Sequence, residues 1–277
     1  MYLSEKIELD SVADYAAGIN SDWSVSGDGI KGLLLGMASA PLLLVSVYFF
    51  KASPRFFSKE HGISLMAYTA CFFLVTTGIL LYEFPFVITS FQILPILNQI
   101  FVSSFSFNVE SVFAILLTSL SIYFSLVGYN EIERTSSFSW IAMLLFLIVL
   151  SLSIMRVTSH SDYIRRRFEI EKYSDLLCML VLSLEGAIGF VSLCTFAYLF
   201  NLFLPIVALL SSMSFLLAME KALYYYPATA VIPIFTILLR IVGAVYSLQI
   251  YNNAYNSTVG LSLILGSISS LFPLILA

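Results

Sequence analysis

Long apolar runs recur along the whole chain and constrain its fold more than any other feature. A helix that crosses the hydrocarbon core of a bilayer needs about 20 mostly apolar residues, and this 277-residue sequence contains many such stretches. Apolar residues make up 60% of the chain and charged residues 11%, against about 45–50% and 25% in soluble domains. The composition therefore excludes a soluble enzyme, a basic nucleic-acid-binding domain and a disordered chain. It indicates an all-α, polytopic transmembrane helix bundle.

The sequence predicts about eight membrane spans, or seven if the stretch Pro85–Phe107 is re-entrant. That stretch is long enough to span, but two prolines and several polar residues interrupt it. It is predicted to be a kinked span, a re-entrant segment or an interfacial helix. The other candidate spans are Ile30–Phe50, Ile63–Tyr82, Ser111–Tyr129, Phe138–Met155, Leu176–Phe200, Leu202–Met219, Pro227–Ile250 and Thr258–Ala277.

Basic residues cluster in two loops, which indicates the orientation of the chain. Lys51, Arg55 and Lys59 lie in the first loop, and five more basic residues lie between 156 and 175. Short loops rich in Lys and Arg remain in the cytoplasm, and these two loops share a side only if Pro85–Phe107 spans. We therefore expect a plasma-membrane protein with its N-terminus outside and its C-terminus inside. The sequon at Asn256 then lies outside, where glycosylation can occur.

The charge distribution predicts two regions. Residues 1–29 form an acidic extracytoplasmic tail, and residues 30–277 form the transmembrane domain with its charged cytoplasmic loop at 156–175. Arg165, Arg166 and Arg167 in that loop are candidates for docking a cytoplasmic partner such as an ATPase. Alternatively, they bind anionic headgroups from an interfacial helix, or the loop is solvated and only sets the topology.

Two charged residues, Glu185 and Arg240, fall deep inside apolar runs. Such residues are costly in a bilayer and often mark a functional site. We hypothesise that Glu185 and Arg240 form an intramembrane pair lining a pathway or a subunit contact. The alternatives are an ion pair that only fixes helix packing, or separate partners for each charge.

A second polar group lies in the interrupted stretch and comprises Gln92, Pro95, Asn98 and Gln99. Proline cannot donate a backbone hydrogen bond and frees a carbonyl four residues earlier. Broken helices with polar groups nearby form substrate or ion sites in transporters. The alternative is that the amide side chains only hydrogen-bond neighbouring helices.

Gly32, Gly36 and Ala40 repeat at four-residue spacing in the first span. Small residues at this spacing allow two transmembrane helices to approach closely. The pattern predicts a helix-packing face rather than a particular partner.

Residues able to carry catalysis or bind metal are scarce. The 3 cysteines lie in apolar runs, and the 2 histidines, His61 and His160, lie at predicted span ends. The sequence has no zinc-ligand spacing and no Walker A, GxSxG or HExxH motif. We therefore expect no enzyme activity, no metal and no cofactor.

Three functions fit these features. The first is a transport or channel subunit that moves a solute or polymer, in contact with lipid and with other membrane subunits or further copies of itself. The second is the membrane platform of a DNA-import or secretion machine driven by a separate cytoplasmic ATPase, although the sequence has no nucleic-acid-binding feature of its own. The third is a non-redox anchor of a respiratory complex.

The topology predicts that cysteines introduced at Ser26 and Ser161 lie on opposite sides of the membrane. A membrane-impermeant thiol reagent should label the first in intact cells and the second only after permeabilisation. Labelling of both cysteines from the same side would contradict this topology.

Overall fold

The computed structural model describes residues 27–52, 59–82, 84–102, 109–129, 133–134, 148, 179–191, 215–216, 218–223, 225–252 and 256–275. Almost all of these residues are helical. The helices are α1 (Gly27–Ala52), α2 (Lys59–Leu81), α3 (Phe84–Ser90), α4 (Leu94–Val102), α5 (Val109–Gly128), α6 (Met179–Val191), α7 (Ala228–Ile250) and α8 (Ser257–Ile275). A 3₁₀ turn, Phe91–Ile93, joins α3 to α4, and residues 218–223 are also helical.

Five helical segments in this described part are long and apolar enough to cross a membrane. This confirms the predicted class, a largely helical membrane protein. The segments are Gly27–Phe49, Gly62–Ile79, Phe84–Phe101, Ser111–Gly128 and Ala228–Leu248.

The interrupted segment Phe84–Phe101 lies at the centre of the bundle. Inside the protein, 67% of its residues are buried, against 33% in Gly62–Ile79. α1, α5 and α7 all contact α3 or α4. The stretch that looks weakest as a span in the sequence is therefore the most enclosed of the five, which explains its polar side chains.

This central segment runs antiparallel to α7 along its whole length. The Phe84 backbone N–H donates to the Tyr251 hydroxyl at 3.3 Å, just beyond the last residue of α7. The Asn98 side-chain amide donates to the Ala228 carbonyl at 3.3 Å, at the first residue of α7. α3 and α4 together thus cross the same layer as α7. We call the two faces of this layer the Tyr251 end and the Ala228 end.

The 3₁₀ turn resolves the problem that Pro95 creates. The carbonyl that lacks a partner because of Pro95 belongs to Phe91, four residues earlier. The Leu94 N–H donates to this carbonyl, three residues on. The tighter 3₁₀ turn therefore gives the freed Phe91 carbonyl a hydrogen bond from the backbone itself, so that it needs no water molecule inside the bundle.

α5 and α8 pack antiparallel through small polar residues. Midway along α5, the hydroxyls of Thr118 and Ser269 hydrogen-bond to each other. Near the Tyr251 end, the Asn256 side-chain amide donates to the Gly128 carbonyl at 2.9 Å. Asn256 Oδ1 also accepts from the Val259 N–H at 2.9 Å, so the same side chain caps α8 and holds it against α5.

A two-residue antiparallel ladder joins two loops at the Tyr251 end. Its strands are β1 (Glu133–Arg134) and β2 (Tyr251–Asn252). The ladder ties the chain after α5 to the chain between α7 and α8.

The predicted glycine face of α1 meets α3 in the structure. A Cβ on Gly36 would overlap the Ser90 hydroxyl and lie 2.7 Å from the Val87 carbonyl oxygen. A Cβ on Gly32 would lie 3.3 Å from the Phe86 Cβ. Glycine is therefore what lets α1 approach the central segment closely.

α1 begins three residues earlier than the predicted span. It starts at Gly27, and the first three helical residues fall within the predicted tail of residues 1–29. Asp28 lies in the first turn, where a negative charge is favourable, and its carboxylate accepts a 2.9 Å bond from Lys31.

The expectation of about eight spans needs a correction. An even number of spans places both termini on one side, whereas an outside N-terminus and an inside C-terminus need an odd number. With Phe84–Phe101 long and apolar enough to cross, the sequence contains nine candidate spans.

Several predictions concern residues outside the described part of the chain. These are the acidic tail up to residue 26, the span Phe138–Met155 apart from residue 148, and the candidate docking residues Arg165, Arg166 and Arg167.

Gly36→Ala should destabilise the protein by about 1–3 kcal/mol, because its new methyl group meets the Val87 backbone as well as the Ser90 side chain. Thermal unfolding in detergent would measure this loss. Gly62→Ala is the matched control, since a Cβ at Gly62 has no atom within 4 Å. It should leave the protein as stable or raise stability by up to about 1 kcal/mol. An equal effect of the two changes would contradict the close approach of α1 to α3.

Candidate functional site

Arg240 lies about midway along α7 and is only 6% exposed. It faces α5 and α8, whose small residues leave room for its long side chain. Gly266 on α8 is required for this arrangement, because a Cβ there would overlap Nη1 of Arg240. The structure therefore places a guanidinium inside the helical layer.

Three serines surround the guanidinium. Nη1 of Arg240 donates to Ser121 Oγ at 2.9 Å and to the Ser262 carbonyl at 3.1 Å. Nη2 donates to Ser125 Oγ at 3.1 Å and to Ser262 Oγ at 2.7 Å. The four N–H bonds of the two Nη atoms therefore all reach neutral oxygens. We call Arg240, Ser121, Ser125 and Ser262 the arginine–serine cluster.

The serines are also bonded to one another across the α5–α8 contact. Ser262 Oγ donates to the Ser121 carbonyl at 2.6 Å, and the hydroxyls of Ser125 and Ser262 hydrogen-bond to each other. The cluster therefore stabilises the packing of α5 on α8 as well as the guanidinium.

The positive charge of Arg240 has no carboxylate partner among the residues that the structure describes. Within that part of the chain, the ion pair is Lys31–Asp28, at the Tyr251 end. Serine oxygens satisfy the hydrogen bonds of a guanidinium but leave its net charge uncompensated. A buried charge without a counter-charge is costly, and buried charges are normally paired.

The structure does not bring Glu185 and Arg240 together as an ion pair. Glu185 lies on α6 and is 3% exposed. The next residue, Gly186, faces Phe235 of α7, since a Cβ on Gly186 would lie 3.7 Å from the Phe235 ring. Arg240 comes five residues after Phe235, about 140° further around the helix. Arg240 therefore takes its hydrogen bonds from α5 and α8 and forms no ion pair with Glu185 among the described residues.

Gln92 from the central 3₁₀ turn joins the arginine–serine cluster. Its Oε1 accepts from Ser121 Oγ at 2.8 Å, and its Nε2 is buried without a hydrogen-bond partner. Nε2 lies near Gly266, beside Arg240.

Asn98 lies apart from this cluster. Its Oδ1 accepts from the Tyr48 hydroxyl at 2.5 Å, and its Nδ2 donates to Ala228. Asn98 thus links α1, α4 and α7 near the Ala228 end. Gln99 follows it on α4 and is partly buried. Of the four polar candidates in the interrupted stretch, the structure places Gln92 alone at the arginine.

A small cavity lies between Arg240 and the Tyr251 end. Its volume is about 10 Å³, which is enough for roughly one water molecule. On α7, its wall follows one helical face in which small residues succeed the arginine. The lining residues are Arg240, Gly243, Ala244 and Ser247 of α7, Pro85, Ile88 and Thr89 of α3, Tyr129 after α5, and Leu263 of α8.

Two polar donors on this wall remain available. The Thr89 and Ser247 hydroxyls donate to backbone carbonyls of their own helices at 2.9 and 2.8 Å. In contrast, the Tyr129 hydroxyl and Arg240 Nε–H donate to none of the residues described. Tyr129 lies within electrostatic reach of the guanidinium. The wall therefore combines one positive charge with two free N–H or O–H groups.

The predicted glycosylation acceptor has a structural role. Because Nδ2 of Asn256 donates to Gly128 and its Oδ1 caps α8, attachment of a glycan to Nδ2 would disturb the start of α8.

Within the described ranges, no group of three or more His, Cys, Asp or Glu side chains could hold a metal ion.

Sequence reasoning identified Arg240 and Gln92 but missed Ser121, Ser125 and Ser262. Serine is common in this chain, so no single serine stands out. The usable pattern was the four-residue spacing of Ser121 and Ser125 on one helix, together with Ser262 and Gly266 on another. Small polar residues at that spacing are typical of interfaces between transmembrane helices.

Comparison of the chain with protein-family models, curated proteins and solved structures found no match.

Ser262→Ala should lower the stability of the protein by about 1–3 kcal/mol, because a charged donor then lacks a buried acceptor. Ser267→Ala is the control on the same helix, since its hydroxyl only donates to the Leu263 carbonyl one turn earlier. Thermal unfolding in detergent should separate the two variants by several degrees. If both variants unfold at the wild-type temperature, the cluster does not stabilise Arg240.

Proposed function

We propose that this chain is a transport or channel subunit of the plasma membrane that moves a solute across the bilayer. It has nine spans, with its N-terminus outside and its C-terminus inside, and it contacts lipid and other membrane subunits or further copies of itself. The Tyr251 end then faces the exterior and the Ala228 end faces the cytoplasm. Lys221, which precedes α7, lies on the cytoplasmic side in agreement with the positive-inside rule.

The observation that carries this proposal is the charge of Arg240 inside the helical layer, which no carboxylate among the described residues compensates. Placing an arginine at the centre of a membrane helix costs roughly 3 kcal/mol or more. Replacing a buried ionic group by a well-packed apolar residue is often neutral or stabilising, so packing alone does not require an arginine here. The retained charge therefore supports a role in moving a charged or strongly polar species.

The position of the cavity supports the same proposal. Gly243, Ala244 and Ser247 follow Arg240 on one face of α7 and are all small. Together they lead from the guanidinium toward the proposed exterior. A cavity of about 10 Å³ beside a buried charge supports a site for an ion or a small polar solute.

The platform function and the anchor function remain predictions of the sequence alone. The platform function depends on Arg165, Arg166 and Arg167 and on a cytoplasmic ATPase. The anchor function depends on redox partners. The described residues add no contact that favours either, so transport is the function we put forward, without enzymatic activity.

Reconstitution of the full-length chain would test this proposal. We expect proteoliposomes to release at least one small ion or polar solute faster than protein-free liposomes do. Arg240→Gln should reduce this flux at least tenfold. Lys31→Gln removes an equal charge from an exposed position and should leave the flux unchanged.

Purification in mild detergent would reveal any partner subunits, which should be included in the reconstitution. If neither the chain alone nor the chain with its co-purifying subunits produces flux, the transport proposal fails. A co-purifying ATPase with polymer-import activity would favour the platform, and co-purifying haem proteins would favour the anchor.

A further inference from the structure

We propose that the cavity beside Arg240 is a binding site for a small monovalent anion of about halide size. This inference rests on the proposed function and deepens it, because it names the ligand class of the same site. The ligand is a free ion that enters from the Tyr251 end and takes its hydrogen bonds from Arg240 and Tyr129.

Charge determines the class of ligand. Arg240 brings one positive charge, and no described carboxylate neutralises it. The three serines around it are neutral. One negative charge would balance the site, whereas a divalent anion would leave an excess negative charge in a medium that stabilises charge poorly.

Size narrows the class further. A cavity of about 10 Å³ holds roughly one water molecule, and a halide ion is only slightly larger than water. A tetrahedral oxyanion such as sulfate needs several times this space. Ile88 and Leu263 form apolar parts of the wall, so a large, strongly hydrated anion would also lose more hydration than the site replaces.

Hydrogen bonding decides between an anion and a cation. The hydroxyl protons of Thr89 and Ser247 donate to backbone carbonyls. Arg240 Nε–H and the Tyr129 hydroxyl are the donors on this wall that bond to none of the described residues. Both residues line the cavity. Free donors beside a fixed positive charge repel cations and bind anions.

The serines hold the guanidinium in position for its ligand. They hold both Nη atoms of Arg240, so the guanidinium is fixed in position before an ion arrives. A donor that is already in place does not lose side-chain freedom on binding, which favours affinity. Ser121, Ser125 and Ser262 are therefore positioning residues for the anion, and Arg240 and Tyr129 are its contacts.

Chloride and bromide are the probes for a test with the full-length chain in detergent. In a gluconate buffer of constant ionic strength, added chloride should raise the unfolding temperature saturably by at least about 3 °C, because a ligand of the folded state stabilises it. Sulfate at the same ionic strength should give no saturable rise. In crystals grown with bromide, an anomalous peak should lie within hydrogen-bond distance of the guanidinium.

Four variants assign the response to the site. Arg240→Gln should abolish the chloride-dependent rise, and Tyr129→Phe should weaken the apparent affinity about tenfold. Ala244→Leu should also abolish the rise, because it fills the cavity and leaves Arg240 in place. Lys31→Gln, which removes an exposed charge, should bind chloride as the wild type does. If Arg240→Gln does not fold, the chloride responses of Ala244→Leu and Tyr129→Phe test whether the ion binds in this cavity.

The proposal is overturned if chloride gives the wild type no saturable rise in unfolding temperature, if sulfate gives an equal rise, or if Ala244→Leu responds to chloride as the wild type does.

The failure of the anion site and the failure of the transport function are distinguishable. Chloride binding without flux would uphold the anion site and remove the transport function. Flux of another solute, without chloride binding, would uphold transport and remove the anion site.

Discussion

A guanidinium inside an apolar layer must take its hydrogen bonds from protein, and this requirement connects three helices of the described bundle. Arg240 reaches away from its own helix to oxygens on α5 and α8. Those helices can supply them only where their residues are small, since Gly266 must leave room for Nη1. The burial of this one charge is therefore made possible by three features together. They are the antiparallel packing of α5 on α8, the serines of that contact and the position of α7.

The same constraint acts on the backbone. Pro95 leaves a carbonyl without its helical partner, and lipid offers no replacement. The chain responds with a single 3₁₀ turn, in which Leu94 donates to Phe91. That turn also carries Gln92, which hydrogen-bonds to Ser121. A local repair of the backbone thus provides one neighbour of the arginine–serine cluster.

Composition and run length were sufficient to predict the class of the protein and most boundaries of the long helices that the structure describes. Sequence also identified Arg240, because a charge within a long apolar run is conspicuous. It did not identify the partner of that charge. Opposite charge is the simplest rule for pairing, and it pointed to Glu185. The observed neighbours are serines, and serine is so common in this chain that no single one stands out. Which serines reach Arg240 depends on how α7 is rotated about its axis relative to α5 and α8. Rotation about a helix axis is set by packing in three dimensions, so spacing along the chain does not determine it.

The contact between α5 and α8 also has a consequence for the order in which the protein assembles. Ser121 and Ser262 are bonded across a long interval of sequence, and α8 is the last of the described helices to leave the ribosome. Arg240 enters the membrane before Ser262 has been synthesised, with Ser121 and Ser125 as the partners already present. The arginine–serine cluster is completed only when α8 inserts. Burial of the guanidinium among its hydrogen-bond partners is therefore complete only after α8 has joined the bundle.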